Sequence, residues 1–148
     1  MASESTANTH WEGSLTNGRG TTAPASGAFQ EIEVSWPARV ERTEGTTSPE
    51  ELLAAAHASC YCMALSHELS EAGNEPESLD ASATVSFVAG EGVKASRITV
   101  RGRVPGIDQA AFEQAAASAG KNCPISGALA GNVEIDVDAT LDEQPRIA

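Results

Sequence analysis

Residues 48–73, SPEELLAAAHASCYCMALSHELSEAG, constrain what this chain can fold into more than any other stretch. They read as one long helix. Ser48 is a natural N-cap, Pro49 suits the first helical position, and Glu51 completes a Ser-x-x-Glu capping box. Gly73 is placed to end it, with Asn74 and Pro76 close behind. Between these signals Leu52, Leu53, Ala54, Ala55, Ala56, Ala58, Tyr61, Met63, Ala64 and Leu65 occupy every side of the helix. A helix that is apolar all round is expected to be buried, in a core or between subunits. At its centre sit His57, Cys60 and Cys62, polar and reactive groups that need an explanation.

A chain of 148 residues is expected to form a single domain, with loose tails at 1–8 and 142–148. Aromatic residues make up only 4% of it, so the core must come from Val, Ile, Leu and Ala. A net charge of −12 argues against nucleic acid or anionic membrane as partners. The first nine residues lack the apolar run of a secretory signal, and Leu52–Leu65 is too short to span a bilayer. Three cysteines, an odd number, do not suit a disulfide framework, so a cytoplasmic protein with functional or inert thiols is expected.

The order of elements follows from periodicity and turn chemistry. His10–Leu15 and Arg19–Ala23 read as strands joined at Thr16-Asn17-Gly18. Phe29–Trp36 alternates as a third strand, which Pro37 loosens, and a polar stretch leads into the long helix. Ala81–Val88 and Ala95–Val104 form a second pair around Gly90-Glu91-Gly92. Asp108 caps a short helix, Gln109–Ala119, that Gly120 stops; Cys123-Pro124 opens a shorter helical turn, and Val133–Thr140 is the last strand. This order, βββ-α-ββ-αα-β, predicts an α+β fold in which antiparallel strands wrap a long central helix.

Three thiols and one histidine are the chemical candidates. Cys60 is either an inert buried thiol among alanines or a nucleophile. His57, three residues earlier, shares its helical face and is either a base or a satisfied core histidine. Cys123 falls at a helix N-cap, where free N–H groups favour a thiolate, or it is a small residue filling a turn. Cys62 lies about 200° around the helix from Cys60, at ~3.6 residues per turn, so the two point apart. That geometry and the absence of a Cys-x-x-Cys pair argue against a metal site. Arg39 and Arg42 precede the helix in a charged loop. Capping accounts for Glu51 and leaves Glu50 available for another role.

Taken together, Ser-Pro-Glu-Glu-Leu-Leu-Ala-Ala-Ala-His-Ala-Ser-Cys60 and Asn-Cys123-Pro-Ile-Ser resemble the OsmC/Ohr family of thiol peroxidases. The resemblance runs from about Trp11 to Leu141. It includes Trp11-Glu12-Gly13, Trp36-Pro37-Ala38-Arg39-Val40-Glu41 and Val104-Pro105-Gly106-Ile107. With His57 in the helix it looks more like the OsmC branch.

The resemblance implies an intertwined homodimer with sites at its interface. It also implies an enzyme without cofactor or metal that reduces organic hydroperoxides. By motif position Cys60 matches the peroxidatic cysteine, Cys123 the resolving one, Glu50 the glutamate after the proline, and Arg39 the supporting arginine. Arg42 remains a second candidate, because the segment before Pro49 is longer than in some relatives. A thiolate attacks the peroxide O–O bond, an arginine supports thiolate and leaving alkoxide, and a carboxylate holds the guanidinium. The resulting sulfenic acid condenses to a disulfide, which a dithiol, of lipoyl type in the family, reduces again. Two other readings are a cysteine hydrolase using Cys60 with His57 as base, and a non-catalytic thiol sensor.

Overall fold

The structure, a computed structural model, describes residues 1–143. It divides into two compact units, Met1–Leu52 and Leu53–Ala148. The expected C-terminal tail lies outside the described residues from 144 onward. Asp142 itself is held: its N–H donates to the Gly102 carbonyl at 2.8 Å, and its carboxylate pairs with Arg101.

The first unit is a three-stranded antiparallel sheet in the order β1 (Ala7–Glu12), β2 (Arg19–Pro24), β3 (Ile32–Val34). Its first strand begins within the segment expected to be loose, because Ala7 and Asn8 pair with Pro24 and Ala23. The third strand is shorter than its alternation predicts. After Val34 the chain enters an unexpected helix, α1 (Trp36–Glu41). Ser35 is its N-cap and accepts a hydrogen bond from the Ala38 N–H at 3.2 Å. Pro37 sits in the first turn, where its fixed φ fits and its missing N–H is not needed. The same Ser-Trp-Pro that ends a strand pattern is therefore a helix start.

The long helix, α2 (Pro49–Glu71), forms where the sequence places it. Ser48 accepts from the Glu51 N–H at 3.2 Å, which is half of the capping box. The other half is diverted, because the Glu51 carboxylate accepts instead from the Thr47 hydroxyl at 2.7 Å. At the far end Asn74 N–H reaches the Leu69 carbonyl at 2.8 Å and Gly73 N–H reaches that of Ser70 at 3.0 Å. Those two bonds are a Schellman motif.

The second unit contains the rest of α2, α3 (Gln109–Asn122), α4 (Pro124–Leu129) and a sheet in the order β4 (Ser78–Val88), β5 (Gly92–Arg103), β6 (Glu134–Leu141). β4 and β5 form a long hairpin, but β6 runs parallel to β5. The expectation of purely antiparallel strands is corrected here. Two helices intervene between β5 and β6, and such a crossover returns the chain in the same direction. Gly120 does not stop α3. A Cβ there would lie 2.9 Å from Val137 Cγ2, so its smallness serves the packing of α3 on β6.

The core of this unit joins one stripe of α2 to β5, the residue that follows it, and α3: Tyr61, Leu65 and Leu69 against Ile98, Val100 and Val104, with Phe112, Ala116 and Ala119. The Tyr61 hydroxyl donates to the Ala116 carbonyl at 3.0 Å, so its buried polar end is satisfied. Within the chain α2 is not buried all round. Ala55, Ala56 and Ser59 are exposed, and Met63 keeps 73% of its surface accessible.

Gly102 on β5 stands directly against a buried ring of α3. A Cβ there would stand 2.5 Å from both Cε1 and Cζ of Phe112, a ring with no exposed surface to move into. Gly102→Ala should cost about 1–3 kcal/mol through overpacking. Thermal unfolding should report a melting temperature lower by several degrees.

Candidate active site

Cys123 joins two helices. Its N–H donates to the Ala119 carbonyl at 2.9 Å, closing α3, and the residue is also the N-cap of α4. The position matches the sequence reading, and Pro124 explains it, since proline is favoured at the start of a helix. Cys123 has no exposed surface, whereas Cys60 on α2 is half-buried. Cys60 packs against the buried cluster that includes Cys123, and each thiol influences the ionisation of the other.

Their environments push them in opposite directions. Burial is the main cause that raises the Cys60 pKa, and its contact with Cys123 adds to it, against the Ile125 N–H. Burial also acts on Cys123, but there it is outweighed. The Ser126 N–H and hydroxyl, the Ile125 N–H and the Cys60 thiol all favour the charged form, so its pKa is lowered. Of the two, Cys123 is therefore the sulfur that holds negative charge more readily. Cys62 is apart from this exchange. Its thiol is raised by burial and by the Asp80 carboxylate, which suits a packed, unreactive side chain.

His57 is fully buried on the same face of α2. Its Nδ1 lies 2.6 Å from Ser96 Oγ on β5, and its Nε2 lies 2.8 Å from Ser126 Oγ on α4. Burial lowers its pKa, so the neutral ring is favoured. Both ring nitrogens are occupied, which leaves no nitrogen for Cys60. Ser96 and Ser126 escape the sequence reading, although Ser126 stands in the Cys-Pro-Ile-Ser run. Nothing in Ser96's own neighbourhood marks it, apart from a small polar residue at an inward strand position.

In the first unit Arg39 of α1 grips Glu50 at the start of α2. Arg39 Nε donates to Glu50 Oε1 at 2.9 Å and Oε2 at 3.1 Å, and Nη2 donates to Oε1 at 2.7 Å. The Glu50 side chain is only 8% exposed. The Arg39 guanidinium also lies over the Trp36 ring, 5.8 Å from its centroid. Glu50 thus has the role left open once capping is assigned to its neighbour. Arg42 differs: it is exposed, at the C-cap of α1, with a φ of 62°. Among the described residues no group of three or more His, Cys, Asp or Glu side chains is arranged to hold a metal, and no helix is long and apolar enough to cross a membrane.

The arrangement resembles known proteins over nearly its whole length. Residues 42–138 match the family described as OsmC-like protein. The chain is 38% identical over 130 residues to the peroxiredoxin OsmC of Escherichia coli (strain K12), covering 86% of this chain and 90% of that protein. Among solved structures, an organic hydroperoxide resistance protein OsmC from Legionella pneumophila superposes with a TM-score of 0.71 at 25% identity, covering 95% and 98% of the two chains. An OsmC-like protein from Mycoplasma pneumoniae shares the fold with a TM-score of 0.72 at 18% identity, covering 97% and 100%. A paired-thiol site on this fold, with that degree of identity, makes the chain a member of the OsmC family and a homologue of the peroxiredoxin OsmC.

Proposed function

We propose that this protein reduces organic hydroperoxides to alcohols, with Cys60 as peroxidatic and Cys123 as resolving cysteine. The observation that carries this reading is the pairing of two thiols of unequal access, one half-buried and one fully buried. A dissolved peroxide can reach the first and not the second. The Cys60 thiolate attacks the distal peroxide oxygen, the O–O bond breaks, and the alkoxide leaves and takes up a proton. Cys60 is then a sulfenic acid, two electrons more oxidised. Cys123 condenses with it to a disulfide and water, and an external dithiol reduces that bond.

Burial raises the Cys60 pKa, so the reaction needs a cation to favour the thiolate. Arg39 is the residue we assign to this, in preference to Arg42. Its hold on Glu50 fixes the guanidinium, and a fixed cation needs no reorganisation when charge develops on the leaving oxygen. The hydrolase reading is the weaker one, since His57 has both nitrogens engaged by serines.

The assembly we propose is a homodimer, the two compact units serving as one functional domain. Cys60 borders the exposed apolar face of α2, with Ala56 and Met63 as helical neighbours. A second copy would cover that face by two-fold symmetry and leave an apolar wall beside the thiol.

Steady-state turnover of an alkyl hydroperoxide with dihydrolipoamide tests the reading. Cys60→Ser should abolish it, and retained turnover in that variant would overturn the assignment. Arg39→Ala should lower kcat/KM by about 10²–10³-fold, the usual cost of losing a transition-state charge partner. Arg42→Ala should change it little, and the reverse order would exchange the two arginines. Light scattering at micromolar concentration should give the mass of two chains, and a monomer there would contradict the dimer.

A further inference from the structure

We propose that the buried chain Ser96–His57–Ser126 is a positioning device for the resolving thiol. In it the Ser126 hydroxyl donates to the Cys123 sulfur, and His57 Nε2–H donates to Ser126. The proposal rests on the peroxidase reading above and concerns residues which that mechanism does not use.

Three side chains from three elements, β5, α2 and α4, meet at 2.6 and 2.8 Å. Ser96 and His57 have no exposed surface and Ser126 has 2%. Such groups are costly to bury unless each proton has an acceptor, so their directions can be assigned. Ser126 is the third residue of α4 after the N-cap Cys123, the position a cap side chain faces, and it is among the groups that favour the charged form of that sulfur, which a hydroxyl does by donating. A serine has one hydroxyl proton, so toward His57 its oxygen accepts. Nε2 then carries the hydrogen. The buried ring is neutral and has a single N–H, which leaves Nδ1 as an acceptor for the Ser96 hydroxyl. Ser96 thus selects the tautomer, His57 orients Ser126, and Ser126 orients the sulfur.

The step this serves is the attack of Cys123 on the Cys60 sulfenic acid. An electron pair of the Cys123 thiolate forms the S–S bond. The S–O bond breaks, and the departing hydroxide takes a proton from solvent. Cys123 is oxidised and Cys60 is reduced, with no further reactant. Disulfide geometry is narrow, so an unheld sulfur attacks poorly. Ionisation alone would matter less. Even where the Cys123 pKa rises above the ambient pH, each tenfold fall in thiolate fraction is offset by about a threefold recovery of intrinsic nucleophilicity, a net loss of ~3-fold.

Step-resolved kinetics with cumene hydroperoxide and mass spectrometry of the Cys60 products test the device. In Ser126→Ala, formation of the Cys60 sulfenic acid should stay within about twofold of wild type. Disulfide formation should slow by ~10-fold or more, the effect of losing a hydrogen bond to a charged group. Excess peroxide should then convert Cys60 to sulfinic acid. His57→Leu should behave like Ser126→Ala, while His57→Gln, which keeps an N–H donor for Ser126, should recover most of the resolving rate. Nitrogen-15 NMR of the reduced wild-type protein should find the imidazole proton on Nε2. Equal slowing of both steps, unchanged disulfide formation in Ser126→Ala, or a proton on Nδ1 would overturn the proposal. A wild-type protein that forms no Cys60–Cys123 disulfide would instead sink the peroxidase reading beneath it.

Discussion

The second unit depends on one stripe of α2 being kept dry. His57, Tyr61, Leu65 and Leu69 follow one another at intervals of four and are all buried. The last three need only apolar neighbours and one carbonyl for the tyrosine hydroxyl. His57 is more demanding, because an imidazole taken from water with an unmet nitrogen costs about 1–3 kcal/mol. The structure meets both nitrogens with serines from different elements. One of those serines is three residues after Cys123, so the bond that satisfies the histidine also ties α4 to α2. Tying α4 down brings its N-cap sulfur against Cys60. The packing requirement of one residue thus brings two thiols together that are far apart in sequence.

That arrangement makes the thiols unequal. Two identical side chains in contact would share a proton with no preference between them. Here Cys123 has backbone and hydroxyl donors around it, and Cys60 has burial acting against its charge with the Ile125 N–H opposing it. Access runs the other way, since the sulfur that ionises more readily is the one that solvent does not reach. For a single-thiol enzyme this would be a poor design. For the two-step reaction proposed it is a sensible division: the accessible sulfur would meet the oxidant, and the sheltered thiolate would meet only the sulfenic acid beside it.

Much of this could be read from the sequence, for identifiable reasons. Caps and helix period are local, so α2 and its ends appear where Ser48, Pro49 and Gly73 put them. Cys123 at an N-cap is local too, because Pro124 marks the start of the helix. What the sequence misleads on is where two local patterns coincide. Ser35-Trp36-Pro37 continues a strand alternation and also caps a helix, and tertiary context selects the helix. Gly120 has the form of a helix stop, but the contact with Val137 that explains it is made across the fold. The parallel pairing of β5 with β6 and the meeting of Ser96 with His57 are likewise long-range. No spacing within a single element encodes them.

The remaining tension is between dryness and charge. The half-buried position that lets Cys60 adjoin an apolar face, suited to an alkyl group, is the same position that raises its pKa. Each buried CH₂ of a substrate is worth ~0.8 kcal/mol, so in the mechanism proposed, removing that apolar surface to ease ionisation would sacrifice discrimination for alkyl peroxides. In the mechanism proposed, a permanently charged partner would resolve the conflict without wetting the sulfur, and arginine keeps its charge on burial where lysine shifts its pKa readily. An unclamped arginine would have to be ordered at each turnover. The grip of Glu50 on two nitrogens of Arg39, with Trp36 beneath, does that ordering during folding instead. In the mechanism proposed, the apolar wall, the buried ion pair and the sheltered second thiol are therefore three answers to one constraint. A sulfur must be dry enough to bind an alkyl peroxide and charged enough to attack it.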